Sequence, residues 1–535
     1  MYKKTLLSIG FFMIFLMLSS LPVVAWQSNV GIGNTDVSFY GLASQDYFGQ
    51  SVIGVGDLNG DNLSDFCISA PRSDVNSQNA GQTYIFFGGS TEWPEIFDLN
   101  NANASFIGES TGDDSGHALG GGGDVNGDGF DDLLISAPRN EETGEDDGQI
   151  YLILGKATGW SLNTSLANAN ASFLGEAMSD RAGNSIDIIE DVNGDNYDDI
   201  LIADKWNDEY EINGGKIYLI FGGASGWEMD MSLSSCNASY LGKKANDHAG
   251  FSISGVGDVN GDNFGDFLIG AYLNDELGES AGQSYLIFGK ELGWATDVNL
   301  TNADVTFNGE YQYDVAGTVV SGIGDLNGDT YKDFMIGAPG NDESKSSAGQ
   351  AYIIFGKETW NSVYNLSDVD ASFQGENFSD RLGSFLAGAF DINNDTYDDI
   401  LLGADGYKSG GSRGKTYLIF GKETGWNMDT PIQNADASFI GENNGDTSSS
   451  SLAGIGDVNG DDYDDFLIGA HQYSAVEPLA GKVYLFFGAE NRIFVNPSPQ
   501  AISGYENLIL INISIIMIAS IIILNKKRFQ KKTYK

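Results

Sequence analysis

Residues 124–132 read DVNGDGFDD, and this stretch decides the fold. Side-chain oxygens stand at its positions 1, 3, 5 and 9, on Asp124, Asn126, Asp128 and Asp132. Carboxylates this close repel one another, and Ca²⁺, which takes six to eight oxygen ligands, would relieve that repulsion. Glycine at position 4 permits a left-handed backbone. The spacing therefore predicts a nine-residue calcium loop in which the carbonyl of Phe130, at position 7, supplies a further ligand.

Two other interpretations of this stretch are open. An EF-hand loop would need Glu at position 12, but Ile135 stands there. The stretch could also be an Asp/Asn/Gly turn that binds no metal. Repetition of the stretch decides between a metal site and a simple turn.

The chain holds seven copies, whose first residues are Asp57, Asp124, Asp191, Asp258, Asp325, Asp391 and Asp457. Successive copies lie 67, 67, 67, 67, 66 and 66 residues apart. Every copy keeps Asp, Asn, Asp and Asp at positions 1, 3, 5 and 9, while position 8 varies from Asp to Ser, Gly and Lys. A merely acidic turn would not hold position 9 and release position 8, so seven calcium ions are predicted.

The predicted loops are 57–65, 124–132, 191–199, 258–266, 325–333, 391–399 and 457–465. The predicted ligands at positions 1, 3, 5, 7 and 9 are Asp57, Asn59, Asp61, Leu63, Asp65, Asp124, Asn126, Asp128, Phe130, Asp132, Asp191, Asn193, Asp195, Tyr197, Asp199, Asp258, Asn260, Asp262, Phe264, Asp266, Asp325, Asn327, Asp329, Tyr331, Asp333, Asp391, Asn393, Asp395, Tyr397, Asp399, Asp457, Asn459, Asp461, Tyr463 and Asp465.

One repeat, residues 103–170, reads as four short strands with no helical period. A short strand ASFIGE is followed by a Gly-rich strand, the calcium loop, the apolar run DLLISA and the run GQIYLILG. Glycine in the strand before the loop indicates close packing near an axis. Four strands per unit in several units predict an all-β propeller, and a linear solenoid is the alternative.

The ends of the repeat region favour the propeller. In six units a Trp stands ten residues before the residue that opens the ASF strand, as in Trp160 and Asn170. The last unit lacks both features after its third strand, 481–488. The start of the repeat region supplies them: Trp26 stands ten residues before Asp36, and VSFYG follows at 37–41. We therefore expect a seven-bladed ring over 26–490 in which 37–41 supplies the missing strand of the last blade, burying an edge.

Charge and hydropathy predict how the chain is placed in the cell. Residues 26–506 hold 19 basic and all 75 acidic residues, a net charge of −56, which excludes a nucleic-acid-binding face. We expect a signal peptide at 1–25, a short stalk at 491–506, a transmembrane helix at 507–524 and a basic cytoplasmic tail at 525–535. The chain would then be a single-pass cell-membrane protein with its ectodomain outside. A buried core helix, or a sorting signal removed after export to the cell surface, are the alternatives for the apolar segment.

Cysteines and glycosylation motifs add two expectations for a secreted domain. The two cysteines, Cys67 and Cys236, give no disulfide framework, so calcium would supply the stapling instead. Sequons such as Asn103-Ala-Ser and Asn377-Phe-Ser indicate a glycoprotein.

The repeats resemble the FG-GAP repeats of the integrin α-subunit propeller. The sequences YFG at 47–49 and GAP at 337–339 carry this resemblance, which extends over about 26–490. It implies calcium on one rim of a propeller and an extracellular protein or glycan ligand. The chain departs from the family in two ways: all seven loops qualify as calcium loops, and the leg domains of integrins are lacking, which argues against pairing with a β-like subunit.

Strand order predicts where a ligand binds. Loops 1–2, which carry calcium, share one face with loops 3–4, while loops 2–3 and 4–1 share the other. Loops 2–3 differ most between copies, as binding loops on a regular scaffold do. Trp206, Tyr210 and Tyr272 are the candidate ligand contacts, with Tyr407 and Tyr473 as further aromatics. Acidic residues of loops 2–3 in blades 2 to 4 should form an uncompensated arc around the first three.

The function predicted from these features is adhesion or ligand binding by a calcium-stabilised surface protein. A lectin-like carbohydrate-binding propeller is the alternative, and regular aromatic pockets between blades would favour it. The histidines His117, His248 and His471 occupy non-equivalent positions, and without a nucleophile–base pair we expect no enzyme activity. An Asp that stands eleven residues before each calcium loop, such as Asp113, is expected to cap a turn.

Overall fold

The chain forms an all-β propeller of seven blades, each a five-stranded sheet, in a computed structural model that describes residues 26–89, 93–141, 144, 146–407, 411–490 and 492. The predicted signal peptide, transmembrane helix and cytoplasmic tail, and nearly all of the stalk, lie outside the described residues. Among the residues that are described, no helix has the length and hydropathy needed to cross a membrane.

Strands are named first to fifth from the centre of the ring, and blades are numbered by their calcium loops. The first strands are Val52–Gly56, Leu119–Gly123, Ser185–Ile189, Ile253–Gly257, Val319–Gly324, Leu382–Phe390 and Ser451–Gly456. The second strands are Asp65–Ala70, Asp132–Ala137, Asp199–Asp204, Asp266–Ala271, Asp333–Ala338, Asp399–Ala404 and Asp465–Ala470. The third strands are Gln82–Phe86, Gln149–Ile153, Lys216–Ile220, Gln283–Ile287, Gln350–Ile354, Lys415–Ile419 and Lys482–Phe486.

The outer strands follow in the same blade order. The fourth strands are Ala104–Ile107, Ala171–Leu174, Ala238–Leu241, Val305–Asn308, Ala371–Gln374, Ala437–Ile440 and Val37–Tyr40. The fifth strands are Thr164–Ser165, Met231–Ser232, Val298–Asn299, Val363–Asn365, Thr430–Pro431, Val30–Gly31 and Ile96–Phe97. Short 3₁₀ turns lie at Ile32–Asn34, Leu99–Asn101, Leu166–Asn168, Leu233–Ser235, Leu300–Asn302, Leu366–Asp368 and Ile432–Asn434.

Burial explains the residue types of the strands. Every residue of the second and third strands is buried, apolar ones in contact with the neighbouring blades, as their continuous apolar runs predict. The first strands are rich in glycine because adjacent blades approach closely there. A Cβ on Gly322 would lie only 2.5 Å from the carbonyl oxygen of Gly255 in the preceding blade. The core is thus a series of layers between blades.

The predicted closure of the ring is confirmed. Val37–Tyr40 pairs antiparallel with Lys482–Phe486, with Val37 opposite Leu485, as the fourth strand of blade 7. Trp26 Nε1 donates to the carbonyl oxygen of Ala489 at 3.0 Å. In blade 2 the equivalent bond runs from Trp160 to Lys156 at 2.7 Å within one continuous segment. The first and last segments of the ring therefore form blade 7 together, whereas the same unit is one continuous segment in blade 2.

A fifth strand in each blade was not predicted, since the sequence indicated four. Each is two or three residues long, comes from the 3–4 connection of the next blade along the chain and pairs parallel with the fourth strand of the sheet it joins, as Thr164 does with Phe106 in blade 1. So short a pairing leaves no alternating pattern in the sequence. It also adds to the closure, because Val30–Gly31 pairs with Ala437–Ile440 of blade 6.

Candidate calcium loops and ligand-binding face

The calcium loops are held in shape by their own carboxylates. Asp124 Oδ1 accepts hydrogen bonds from the backbone N–H groups of Gly127 and Asp128 at 2.6 and 3.2 Å. Its Oδ2 accepts from Gly129 at 2.7 Å. The same pattern of bonds recurs at Asp57, Asp191 and Asp258. Position 1 therefore organises the turn and gathers the loop around one point.

Position 9 is the buried end of each loop. Asp132 is fully buried, and its carboxylate accepts from the N–H groups of Val125 at 3.0 Å and Gly155 at 2.8 Å. Burial raises the pKa of Asp132 to about 7, the two hydrogen bonds lower it, and the charges of Asp124 and Asp128 raise it. The pKa of position 9 is likewise raised in the other six loops, with positions 1 and 5 among the causes each time. The three carboxylates of a loop are therefore close enough to repel one another.

These loops fit the calcium ion that the sequence predicts. Asn393, at position 3 of its loop, has a buried Oδ1 without a hydrogen-bond partner among the described residues, and Asn126 and Asn193 have a buried Nδ2 in the same condition. An unpaired amide oxygen beside three carboxylates, as in Asn393, suits a cation, whereas an unpaired Nδ2 is a donor and cannot bind one. Among the described residues, no group of three or more His, Cys, Asp or Glu side chains is arranged to hold a metal ion.

The backbone φ angles of the loops show that position 4 is left-handed, and they reveal a second left-handed position in each loop. Position 4 has a positive φ in every copy, including Asn394 at 57°, as predicted. Position 6 also has a positive φ throughout, although the sequence analysis did not single it out. Its residues are Asn62, Gly129, Asn196, Asn263, Thr330, Thr396 and Asp462. The predominance of Asn and Gly there was the available signal.

Neighbouring loops are joined into a closed ring. The N–H at position 8 of each loop donates to the carbonyl oxygen at position 1 of the preceding loop. The seven donor and acceptor pairs are Asp131–Asp57, Asp198–Asp124, Gly265–Asp191, Lys332–Asp258, Asp398–Asp325, Asp464–Asp391 and Ser64–Asp457. The last pair closes the circle between blades 1 and 7. Because the bond uses only the backbone, it allows position 8 to vary in residue type.

Two side-chain contacts reinforce this ring. Where position 8 is Asp, its carboxylate accepts from the N–H at position 1 of the preceding loop, as Asp198 does from Asp124 at 2.8 Å. Position 7 packs on the glycine at position 4 of the preceding loop, where a Cβ on Gly127 would lie 2.6 Å from the ring of Tyr197. Glycine at position 4 therefore serves both the turn and the joint between loops.

The opposite face carries the 2–3 and 4–1 loops. The Asp eleven residues before each calcium loop lies here, and it caps a turn as expected. Asp113 Oδ2 accepts from Ser110 N at 2.7 Å, and Asp46, Asp314, Asp380 and Asp446 make the same bond. Asp180 and Asp247 instead accept from Asn207 and Asn274 of the adjacent 2–3 loop. These residues hold the loops of this face together.

The three candidate ligand contacts are found at this face, at different depths. Tyr210 is 57% exposed and Trp206 is 37% exposed, while Tyr272 is half-buried. Trp206 and Tyr272 are brought together through His248, whose ring centroid lies 4.6 Å from Trp206 and 6.0 Å from Tyr272. Tyr210 is not part of this aromatic group.

One expectation about this face was wrong, and another holds only in part. Tyr407 and Tyr473 are buried, because each fills the position that Asn140 occupies in blade 2 and packs under a buried lysine of the third strand. The acidic arc is compensated in part. Asp146 pairs with Arg181, Glu209 with Lys216 and Glu276 with Lys244. Glu142 and Glu145 of the arc lie outside the described residues.

Exposed aromatics and uncompensated acids coincide instead between blades 4 and 5. A cavity of about 650 Å³ there is lined by Leu277, Gly278, Glu310, Tyr311, Gln312, Tyr313, Asp314, Asp342 and Glu343. Tyr311 and Tyr313 are 61% and 53% exposed. Burial raises the pKa of Glu310 to about 7, with Glu343 and Asp314 adding to the rise. We call this cavity the acidic pocket.

Comparisons with known proteins agree with the ring and its loops. The FG-GAP repeat family matches residues 48–86, 115–153, 249–287, 316–354 and 450–486, which lie in blades 1, 2, 4, 5 and 7. The chain is 28% identical to integrin alpha-PS2 of Drosophila melanogaster over 227 residues, 41% of this chain and 15% of that protein. It is 28% identical to integrin alpha-V of Gallus gallus over 228 residues, 42% of this chain and 20% of that protein.

A third relative is integrin alpha-8 of Gallus gallus, with 26% identity over 234 residues, 42% of this chain and 20% of that protein. The chain thus spans a fifth or less of these relatives. A solved structure titled BBS1N in complex with ARL6DN has 8% identity and a TM-score of 0.44 over 88% of this chain and 99% of that one, too low to carry an argument.

The repeats and the seven-bladed ring define the class: this chain is an FG-GAP repeat propeller. Within that class it is an integrin-alpha-like propeller, as its curated relatives show.

Proposed function

We propose that this protein is a calcium-stabilised extracellular binding or adhesion protein, anchored in the membrane by residues 507–524. Its ligand would bind the face formed by the 2–3 and 4–1 loops. One observation carries the proposal: the seven loops with calcium-ligand spacing form one regular ring, while divergent loops with exposed aromatics and charged pockets lie on the other face. A regular scaffold with irregular loops on one side is suited to recognition.

The shape of the ligand face favours a protein ligand over a glycan ligand. A lectin-like propeller would repeat one type of pocket between its blades. The acidic pocket here joins two exposed tyrosines to four carboxyl groups, whereas a second pocket at blades 1 to 3 is lined by basic residues. Such asymmetry suits a single asymmetric partner. The exposed tyrosines would supply desolvated contacts, and the carboxylates would speed association with a basic partner surface.

Capture of surface proteins with the full chain as bait tests this function. Tyr311→Ala with Tyr313→Ala should abolish capture of the specific partner. The matched control, Leu292→Ala with Phe390→Ala, removes two side chains that are 79% and 52% exposed on the calcium face and should leave capture intact. Trp206→Ala with Tyr272→Ala tests the first candidate contacts. Loss of capture in the control alone would move the ligand to the calcium face and refute the proposal.

Calcium and the anchor are tested separately. Capture should fall when calcium is chelated, because the ring of loops sets the positions of the blades. Mass measurement of the mature protein should find the C-terminal sequence KKTYK of residues 531–535 intact if 507–524 is a permanent anchor. A shortened C-terminus would instead indicate processing and release of the anchor.

A further inference from the structure

We propose that a basic pocket at blades 1 to 3 binds a single carboxylate of an extracellular protein ligand. The cavity has a volume of about 230 Å³. Its charged lining residues are Arg72, Arg139, Arg181, Lys205 and Asp114. His117 and Trp206 also line it. This inference rests on the proposed function, since it assigns the chemistry of one contact on the same face.

The convergence of these cations is unusual for so acidic a chain. Residues 26–506 hold 19 basic residues, and four of them meet in this one cavity. Three of them, Arg72, Arg139 and Lys205, follow the second strands of consecutive blades. They lie one or two residues after the strand ends. Since the 2–3 loops of neighbouring blades lie side by side, these side chains lie close together in one pocket.

Among the described residues, only two of these four basic side chains are paired with a carboxylate. Arg139 Nε lies 3.4 Å from Asp114 Oδ2, and Arg181 Nε donates to Asp146 at 3.0 Å. Within the described ranges, Arg72 and Lys205 have no carboxylate within 4.0 Å. They lie against aromatic rings instead.

Those rings hold the two free cations in place without cancelling their charge. The Arg72 guanidinium lies 4.8 Å from the ring centroid of Tyr47, and Lys205 Nζ lies 4.5 Å from that of Phe251. A cation over an aromatic face keeps its positive charge available to an anion on its other side. The cavity therefore holds two positive charges that an incoming group would compensate.

His117 lies within the field of this cluster. Burial, together with the charges of Lys205, Arg139, Arg181 and Arg72, lowers its pKa to about 4, so that the ring is neutral at pH 7. Its Nδ1 lies 3.3 Å from Gln50 Nε2, an amide donor, which leaves the hydrogen on Nε2. His117 is thus a neutral hydrogen-bond donor for an anion beside the guanidinium groups.

Size and surroundings identify the anion. A cavity of about 230 Å³ accepts one side-chain-sized group. Guanidinium forks match the two oxygens of a carboxylate. Around the pocket the 2–3 loops carry exposed acids such as Asp208 and Glu211, which would repel a polyanion. The ligand group is therefore one carboxylate flanked by neutral or basic residues, with Trp206 placed to cover it.

The test uses the full chain with calcium, labelled with 5-fluorotryptophan and observed by ¹⁹F NMR at 150 mM NaCl. Trp206→Phe assigns the reporting signal. The probe is a capped peptide, acetyl-Gly-Lys-Glu-Lys-Gly-amide, and its Gln counterpart is the control. Sodium sulfate and N-acetylneuraminate are titrated separately as a free anion and a carboxylated sugar. The Glu peptide should shift the Trp206 signal saturably, and the Gln peptide should not.

Two variants locate the binding. Arg72→Ala with Lys205→Ala, which removes the two cations without a carboxylate partner among the described residues, should weaken the Glu peptide at least tenfold, while near-ultraviolet circular dichroism checks the fold. Arg381→Ala is the control, since Arg381 is a basic residue of the same face that lies in blade 6, away from the pocket, and pairs with Asp405. It should bind the peptide as the unchanged chain does.

Three results would overturn the inference. They are no saturable shift with the Glu peptide, equal weakening in Arg381→Ala, or binding of N-acetylneuraminate or sulfate without binding of the peptide. None of these would affect the proposed function, provided that the full chain still captures its partner and loses it with Tyr311→Ala and Tyr313→Ala. If neither Tyr311→Ala with Tyr313→Ala nor Trp206→Ala with Tyr272→Ala reduces capture, the proposed function is refuted, and the inference about the basic pocket is not.

Discussion

Replacing one predicted calcium ligand by its amide, Asp128→Asn, separates the role of the ion from the role of the loop. Asp128 stands at position 5, is exposed, and accepts one backbone hydrogen bond, from Phe130 N at 3.1 Å. Asparagine keeps an oxygen for that bond, so the turn should survive. Asp124, which accepts four loop N–H groups, would be a poor choice because its loss would disrupt the turn as well.

The expected magnitude follows from linkage. Each site adds about 2.7 kcal/mol to the free energy of unfolding when calcium is present at a hundred times its dissociation constant. Asp128→Asn should remove about that amount in calcium and lower the number of bound ions from seven to six. In chelator the free energy of unfolding should be unchanged or slightly higher, because Asp128 contributes to the repulsion around Asp132.

Calorimetric titration with calcium counts the ions, and urea unfolding with and without chelator gives the free energies. Asp131→Asn is the control: it removes a charge from the same loop at position 8, where the side chain accepts only the N–H of Asp57. It should retain all seven ions. If Asp131→Asn loses an ion as well, or Asp128→Asn loses none, the assignment of ligands to positions 1, 3, 5, 7 and 9 is wrong.

Three further predictions concern closure, charge and strain. Trp26→Ala should lower the free energy of unfolding by roughly 3–5 kcal/mol in urea, and by more than Trp160→Ala, because Trp26 is buried and joins the chain ends while Trp160 is half-buried. Burial raises the pKa of Asp187 to about 7. The folded state thus binds this proton more tightly, and stability falls as the pH rises from about 4 towards 8. Asp187→Asn should therefore stabilise by roughly 1–3 kcal/mol at pH 8 and by nothing at pH 4, as urea unfolding at both values will measure. Thr330 has a φ of 78° in its loop, so Thr330→Asn should raise the free energy of unfolding by about 1 kcal/mol in the same assay with calcium present.

Each of these predictions has a result that would contradict it. An equal loss in Trp160→Ala would mean that closure depends on the strands rather than on Trp26. A parallel pH profile for Asp187→Asn would show that this carboxyl group is ionised in the folded chain. A destabilised Thr330→Asn variant would show that the threonine side chain, and not only its backbone angle, supports the loop.

The ring and its closure could be predicted because they depend on spacing. The calcium-loop period and the pairing of Trp26 with Asp36 were visible as fixed distances along the chain. Phe487 N donates to Asp36 Oδ2 at 2.8 Å, as Leu154 N does to Asn170 Oδ1 at 3.0 Å in blade 2. The residue that opens the ASF strand is thus Asn or Asp because its side chain accepts a bond from the third strand.

The ligand face could not be predicted to the same depth, because exposure and pairing depend on neighbours from other blades. Tyr407 and Trp206 both lie in 2–3 loops, one position apart in the repeat, yet only Trp206 faces solvent. The basic pocket did leave a signal in the sequence. Arg72, Arg139 and Lys205 follow the second strands of three consecutive repeats in a chain that has few basic residues. The strong excess of acidic over basic residues in the whole chain masks this local cluster of basic residues.

The calcium loops and the ligand face are connected through the second strand of each blade. Asp132 is both the predicted last ligand of its loop and the first residue of Asp132–Ala137, and that strand ends one residue before Pro138 and two before Arg139. An ion that fixes Asp132 therefore fixes the start of the strand that delivers Arg139 to the basic pocket. The backbone bonds between loops then fix each strand relative to its neighbours. Loops on the ligand face can consequently change their residues freely, since their positions are set from the opposite side of the ring.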